Sequence, residues 1–129
     1  MERQIVSTDK APAAVGPYSQ GVQMGDLVFT AGQLGIIPGT KEFAGPDIES
    51  QTRQALKNLE AVLKASGSCL KHVLKTTVFM ADMEEFGRMN AVYAEFFTEE
   101  PPARSAVEVA ALPLGGRVEI EAVAMACEC

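Results

Sequence analysis

Between Pro101 and Glu121 the chain sets charges inside two short apolar runs. Pro101-Pro102 leads into Ala103-Arg104-Ser105-Ala106-Val107-Glu108-Val109, and Leu112-Pro113-Leu114-Gly115-Gly116 separates this from Arg117-Val118-Glu119-Ile120-Glu121. The pattern predicts two strands joined by a Pro/Gly connection. An ion buried in a strand without a partner is strongly unfavourable, so these charges need counter-ions or a ligand. Arg104 and Glu119 are therefore the first candidates for a site.

The second run continues to Met125, and its period of two sends Val118, Ile120, Ala122 and Ala124 to one face and Glu119, Glu121, Val123 and Met125 to the other. Both faces are partly apolar. Helices are expected to cover one, and the other is expected to meet a second subunit.

The rest of the chain supplies those helices. Asp47 is a good N-cap, and Ile48, Ala55, Leu56, Leu59, Val62 and Leu63 form a stripe at helical spacing, with Glu49, Arg53, Lys57, Glu60 and Lys64 outside it and Gly67 as the stop. A second helix is expected after Asp82, with Glu85 completing a reciprocal cap. Phe86, Met89, Tyr93, Phe96 and Phe97 form its buried face, and Pro101-Pro102 closes it. Strands are predicted over 3–6, 19–24, 27–31, 73–80, 103–109 and 117–125, with Gly25-Asp26 as a type II′ hairpin turn and 35–46 as a loop. At 129 residues this is one α+β domain, residues 1–129, with two helices on one face of a mixed sheet.

A net charge of −6 and the lack of any Lys/Arg run argue against a nucleic-acid or anionic-membrane partner. No stretch has the form of a secretory signal or the length of a membrane span, so a cytoplasmic location is expected. Cys69, Cys127 and Cys129 are an odd set without the spacing of a disulfide framework or a four-ligand zinc site; Cys127-Glu128-Cys129 could bind a soft metal or oxidise, but a frayed tail is expected. His72 is the only histidine, which rules out a His-rich metal site.

Arg104 has the planar fork to hold a carboxylate bidentately, or else pairs with Glu119 or Glu121. Glu119 is either an acid/base group in a sheltered cleft or a solvated carboxylate, and Glu121 shares its face. Asn90, on a seam with Phe86, Tyr93 and Phe97, either caps a loop or touches a ligand. Tyr18, behind Gly16-Pro17, offers a phenol to a ligand or merely packs, while Gly32 suits a close backbone approach or a plain turn. The chain has no G-x-x-x-x-G-K-[ST], G-x-G-x-x-G or G-x-S-x-G motif.

Taken together, Gly16-Pro17-Tyr18-Ser19-Gln20, Ala31-Gly32-Gln33-Leu34-Gly35, Val73-Leu74-Lys75-Thr76-Thr77-Val78, Asn90-Ala91-Val92-Tyr93-Ala94-Glu95-Phe96-Phe97, Pro102-Ala103-Arg104-Ser105-Ala106 and Val118-Glu119-Ile120-Glu121-Ala122 closely resemble the RidA (YjgF) family of imine/enamine deaminases. The resemblance implies a chorismate-mutase-like fold and a homotrimer with a central β-barrel, helices outside, and active sites between subunits. It implies hydrolysis of 2-imino acids and their enamines, such as 2-iminopropanoate and 2-iminobutanoate, to 2-keto acids and ammonia. The biological role would be metabolite repair, without metal or cofactor.

By position, Arg104 would bind the substrate carboxylate and Glu119 would position water and assist proton transfer. Tyr18 and Asn90 would line the cleft, and Gly32 and Ala106 would contribute mainly through backbone. Two departures stand out: many members have Ser where this chain has Ala31, and many bacterial members have Cys where it has Ala106. A second reading is a non-enzymatic regulatory protein that binds small carboxylates. A translation-inhibiting or endoribonuclease role is disfavoured by the acidic charge.

Overall fold

The computed structural model describes residues 2–129. Its strands are β1 (Arg3–Val6), β2 (Gly21–Met24), β3 (Leu27–Thr30), β4 (Gln33–Leu34), β5 (Val73–Met80), β6 (Ala103–Glu108) and β7 (Val118–Met125). Its helices are α1 (Ile48–Ala65) and α2 (Phe86–Phe96). The sheet runs β1-β2-β3-β7-β5-β6, with β4 also paired to β7. Only β5 and β6, the strands on either side of α2, are parallel; all other pairings are antiparallel. The result is the expected mixed α+β architecture.

β7 lies at the centre and its alternation is realised in full. Val118, Ile120, Ala122 and Ala124 are buried against Ile48, Leu56, Leu59 and Leu63 of α1 and Met89, Tyr93 and Phe97 at α2, while the intervening residues are half-buried. Asp47 caps α1, accepting from Ser50 N at 2.9 Å, and Gly67 follows the helix at φ +74°. Gly25 takes φ +60° in the two-residue β2–β3 turn. The face away from the helices keeps Leu27 and Phe29 of β3 and Val107 of β6 exposed.

Several local expectations need correction. Asp82 does not form a reciprocal cap with Glu85. It caps a short 3₁₀ turn through Glu84 N at 2.9 Å, while Met83 N donates to Glu108 at 2.7 Å and Glu85 turns to the Arg117 guanidinium at 3.0 Å, a stronger charged partner than a backbone N–H. α2 ends at Phe96, before Pro101-Pro102. The 33–34 segment is a strand, β4, at the edge of the predicted loop, and Ile36 bridges Phe43 within that loop.

The break between β3 and β4 is bridged by a side chain, Thr30 Oγ1, which accepts from Ala122 N at 3.0 Å. Residues 126–129 do not fray. Cys129 forms a disulfide with Cys69, a pairing across 60 residues that local spacing cannot reveal, and Ala126 N donates to Asp26 O at 2.7 Å. Neither helix is long and apolar enough to cross a membrane.

Candidate functional site

Arg104 sits on edge strand β6 opposite Thr76 of β5, and so faces α2. Its guanidinium lies 4.7 Å from the ring centroid of Tyr93 and 5.3 Å from that of Phe86, and its Nη1 donates to Asn90 Oδ1 at 2.7 Å. Offsets of four and three residues along α2 put Phe86, Asn90 and Tyr93 on one seam, which here forms a seat for the cation. Tyr93 is fixed in turn by a 2.7 Å hydrogen bond between its hydroxyl and Thr76 Oγ1, and burial pushes its phenol pKa up.

Among the described residues no carboxylate pairs with Arg104. The alternative of a structural ion pair with Glu119 or Glu121 is thereby removed. Asn90 is spent on the guanidinium and not on a loop. Ala106 lies two residues along β6 on the same face, packed at the margin of the core.

Glu119 is elsewhere. It pairs in register with Phe79 of β5 and Leu34 of β4, and points away from the helices. Burial, helped by repulsion from Glu121, raises its carboxyl above the ordinary glutamate pKa. Gly32 makes its position feasible: a Cβ there would stand 2.7 Å from Glu119 Cδ. The glycine is thus required for close approach by a side chain.

Tyr18 completes this group. Together with Pro12, Gly32, Leu34, Leu114 and Glu119 it lines a cleft of about 300 Å³. Leu114 is held at φ +58° with 69% of its surface exposed, an uncommon backbone state for a branched residue. Gln20, buried two residues after Tyr18, ties this segment to residues 8–12: its amide donates to Pro12 O at 2.7 Å and Thr8 O at 3.0 Å, and its Oε1 accepts from Thr8 N at 2.7 Å.

The predicted residues therefore fall into two groups: Arg104, Asn90 and Ala106 on one face, and Tyr18, Gly32 and Glu119 on the other. Along the sheet, Arg104 and Glu119 are separated by β5 as well as by face. Sequence reasoning missed Gln20 as the staple of the Tyr18 segment, and missed Phe86 and Tyr93 as the seat of Arg104. The seam spacing was the available signal for the second.

The family described as Endoribonuclease L-PSP matches residues 8–126. The chain is 48% identical over 124 residues to Reactive Intermediate Deaminase A, chloroplastic, of Arabidopsis thaliana, covering 96% of this chain and 66% of that protein. It is 48% identical over 123 residues to the 2-iminobutanoate/2-iminopropanoate deaminase of Mus musculus, covering 95% of this chain and 91% of that one. Among solved structures, E. coli TdcF with bound serine superposes with a TM-score of 0.91 at 42% identity, covering 95% of this chain and 98% of that chain.

Proposed function

Because the chain belongs to the Endoribonuclease L-PSP family, which takes in the RidA (YjgF) deaminases, we propose that it hydrolyses 2-imino acids, such as 2-iminobutanoate and 2-iminopropanoate, to 2-keto acids and ammonia. The observation that carries the reading is Arg104, a guanidinium stacked on two rings and held by Asn90 with no carboxylate partner. Its remaining N–H groups suit a substrate carboxylate. The serine bound by the E. coli relative is a ligand of that kind.

In this reading Arg104 fixes the carboxylate and thereby orients the imine carbon. Glu119, its carboxyl pKa raised by burial, takes a proton from the attacking water and returns one to nitrogen as the carbon–nitrogen bond breaks. Water adds across C=N to give a carbinolamine, which collapses to the keto acid and ammonia. An imine carbon is already electrophilic, so the chemistry calls for no metal or organic cofactor. Tyr18 and Asn90 line the cleft, and Gly32 and Ala106 offer backbone.

Since the two groups of residues lie on opposite faces, one chain cannot close both around a small imino acid. The reading therefore includes a homotrimer, its sheets forming a central barrel with the helices outside. Each cleft then combines Arg104 of one subunit with Glu119 of another. The exposed Leu27, Phe29 and Val107 on the helix-free face support such a covering.

The test is decay of an imine made in situ by a dehydratase acting on threonine. Wild type should accelerate it and Arg104→Ala should not; equal rates would refute the assignment. The regulatory reading shares the same Arg104 seat, and calorimetry separates the two, since saturable 2-ketobutyrate binding without any imine hydrolysis would favour it. A net charge of −6 weighs against RNA as substrate.

A further inference from the structure

Away from the cleft, three sulfurs and an imidazole converge where β5 begins and β7 ends. Cys69 caps the 3₁₀ turn Leu70–His72 that leads into β5, and residues 126–129 return across it. Cys127 Sγ lies 3.0 Å and Cys129 Sγ 3.5 Å from His72 Nδ1. The donor atoms of Cys69, His72 and Cys129 all lie within 4.8 Å of one another. Backbone anchors hold both walls: Ser68 Oγ donates to Met125 O at 2.6 Å, and Ala126 N to Asp26 O at 2.7 Å.

The Cys69–Cys129 disulfide accounts for two of these four groups. It does not involve the free thiol of Cys127 or the only imidazole in the chain, whose Nδ1 also lies 3.1 Å from Cys127 O. We infer that, with its thiols reduced, this cluster is a Cys₃His site for a divalent metal of zinc's character, formed by Cys69, His72, Cys127 and Cys129.

Zinc takes tetrahedral thiolate and imidazole ligands, and its bond lengths place ligand atoms roughly 3.6–3.8 Å apart. The Cys129 Sγ–His72 Nδ1 separation of 3.5 Å already lies close to that spacing, and Cys127 Sγ, at 3.0 Å, has to draw back by less than about 1 Å to reach it. Cys-x-x-His supplies one pair of ligands from the turn and Cys-x-Cys the other from the segment after β7.

The disulfide and the metal are alternatives at this site. A phosphine or dithiol reductant supplies two electrons and, with two protons, opens the bond to two thiols. Each ligating thiol then gives up its proton as its metal–sulfur bond forms. None of these residues belongs to the proposed deaminase cleft, so the inference stands apart from that reading.

The experiment is an anaerobic titration of the phosphine-reduced full chain with Co²⁺, followed by Zn²⁺. One equivalent should produce the intense visible bands of tetrahedral cobalt together with thiolate charge transfer, and zinc should bleach them. Cys127→Ser, which leaves the disulfide pair intact, and His72→Asn should each weaken affinity by more than the roughly 10–100-fold that loss of an outer-shell partner costs. The oxidised chain should give no tetrahedral spectrum. A weak six-coordinate spectrum from reduced wild type would overturn the inference, as would wild-type affinity and spectrum in Cys127→Ser.

Discussion

An ideal Cβ on Gly32 stands 2.7 Å from Glu119 Cδ and 2.8 Å from its Cγ, so Gly32→Ala must push the carboxylate aside. A displacement of about 1 Å at an acid/base group costs on the order of a hundredfold in rate. Imine hydrolysis by Gly32→Ala should fall by that order while circular dichroism stays that of wild type, and an unimpaired variant would remove Glu119 from the mechanism.

Glu119 also carries a pH signature. Its folded-state pKa lies above the ordinary glutamate value because burial disfavours the charged form. The folded state then holds its proton more tightly than the unfolded one. Stability is unpenalised below the ordinary glutamate pKa and is lost as pH rises through the raised one. Glu119→Gln should therefore melt higher than wild type at neutral pH and level with it in acid; equal melting temperatures at both would contradict the shift. Arg104 was legible in the sequence as a charge in an apolar strand. Its seat was not, because the docking of β6 against α2 is a long-range event that brings together residues from two separate elements.

At the scale of elements, α1 does more than cover the sheet. Asn58 is fully buried within its apolar stripe, and its amide donates to Leu34 O at 3.0 Å and Ile36 O at 2.8 Å. Gln51 works similarly, accepting from Arg117 N at 2.8 Å and donating to Gly45 O at 3.0 Å. The helix thus holds β4 and the 35–46 loop, and with them one wall of the Glu119 cleft. Asn58→Ala takes a donor from the buried Ile36 carbonyl and the partly buried Leu34 carbonyl and should cost about 2 kcal/mol, measurable by urea denaturation; a cost near zero would mean that water replaces the amide.

The apolar stripe of α1 and both of its ends were legible because they depend on local spacing and capping. β4 was not, since a two-residue strand carries no periodicity, and nothing in the local spacing marks Gln51 and Asn58 as buried amides reaching a distant loop. The disulfide was hidden for a related reason: nothing near Cys69 or Cys129 in sequence reports that β5 and β7 bring them together.

At the scale of the whole molecule, the register decides how the site can be assembled. Arg104 shares a face with Thr76 and Glu119 with Phe79, so alternation along β5 separates them, and two inter-strand steps add roughly 9.6 Å. Arg104→Ala and Glu119→Ala should each be inactive alone, yet unfolding and refolding them together should restore activity. In the proposed three-fold ring, random mixing would rebuild one intact cleft in each mixed trimer, a ceiling of roughly one quarter of the wild-type rate. No recovery in trimers verified as mixed would place the whole site within one chain.

The same division bears on inheritance. In the proposed trimer, a subunit lacking Arg104 would spoil only the cleft to which it lends that residue, and its Glu119 would still serve a neighbour. In a cell making normal and defective chains equally, about half the clefts would survive whatever the mixture of rings. Such an allele would scale activity with gene dose and would not poison its normal partner, whereas a change that unfolds the shared sheet would take whole rings with it.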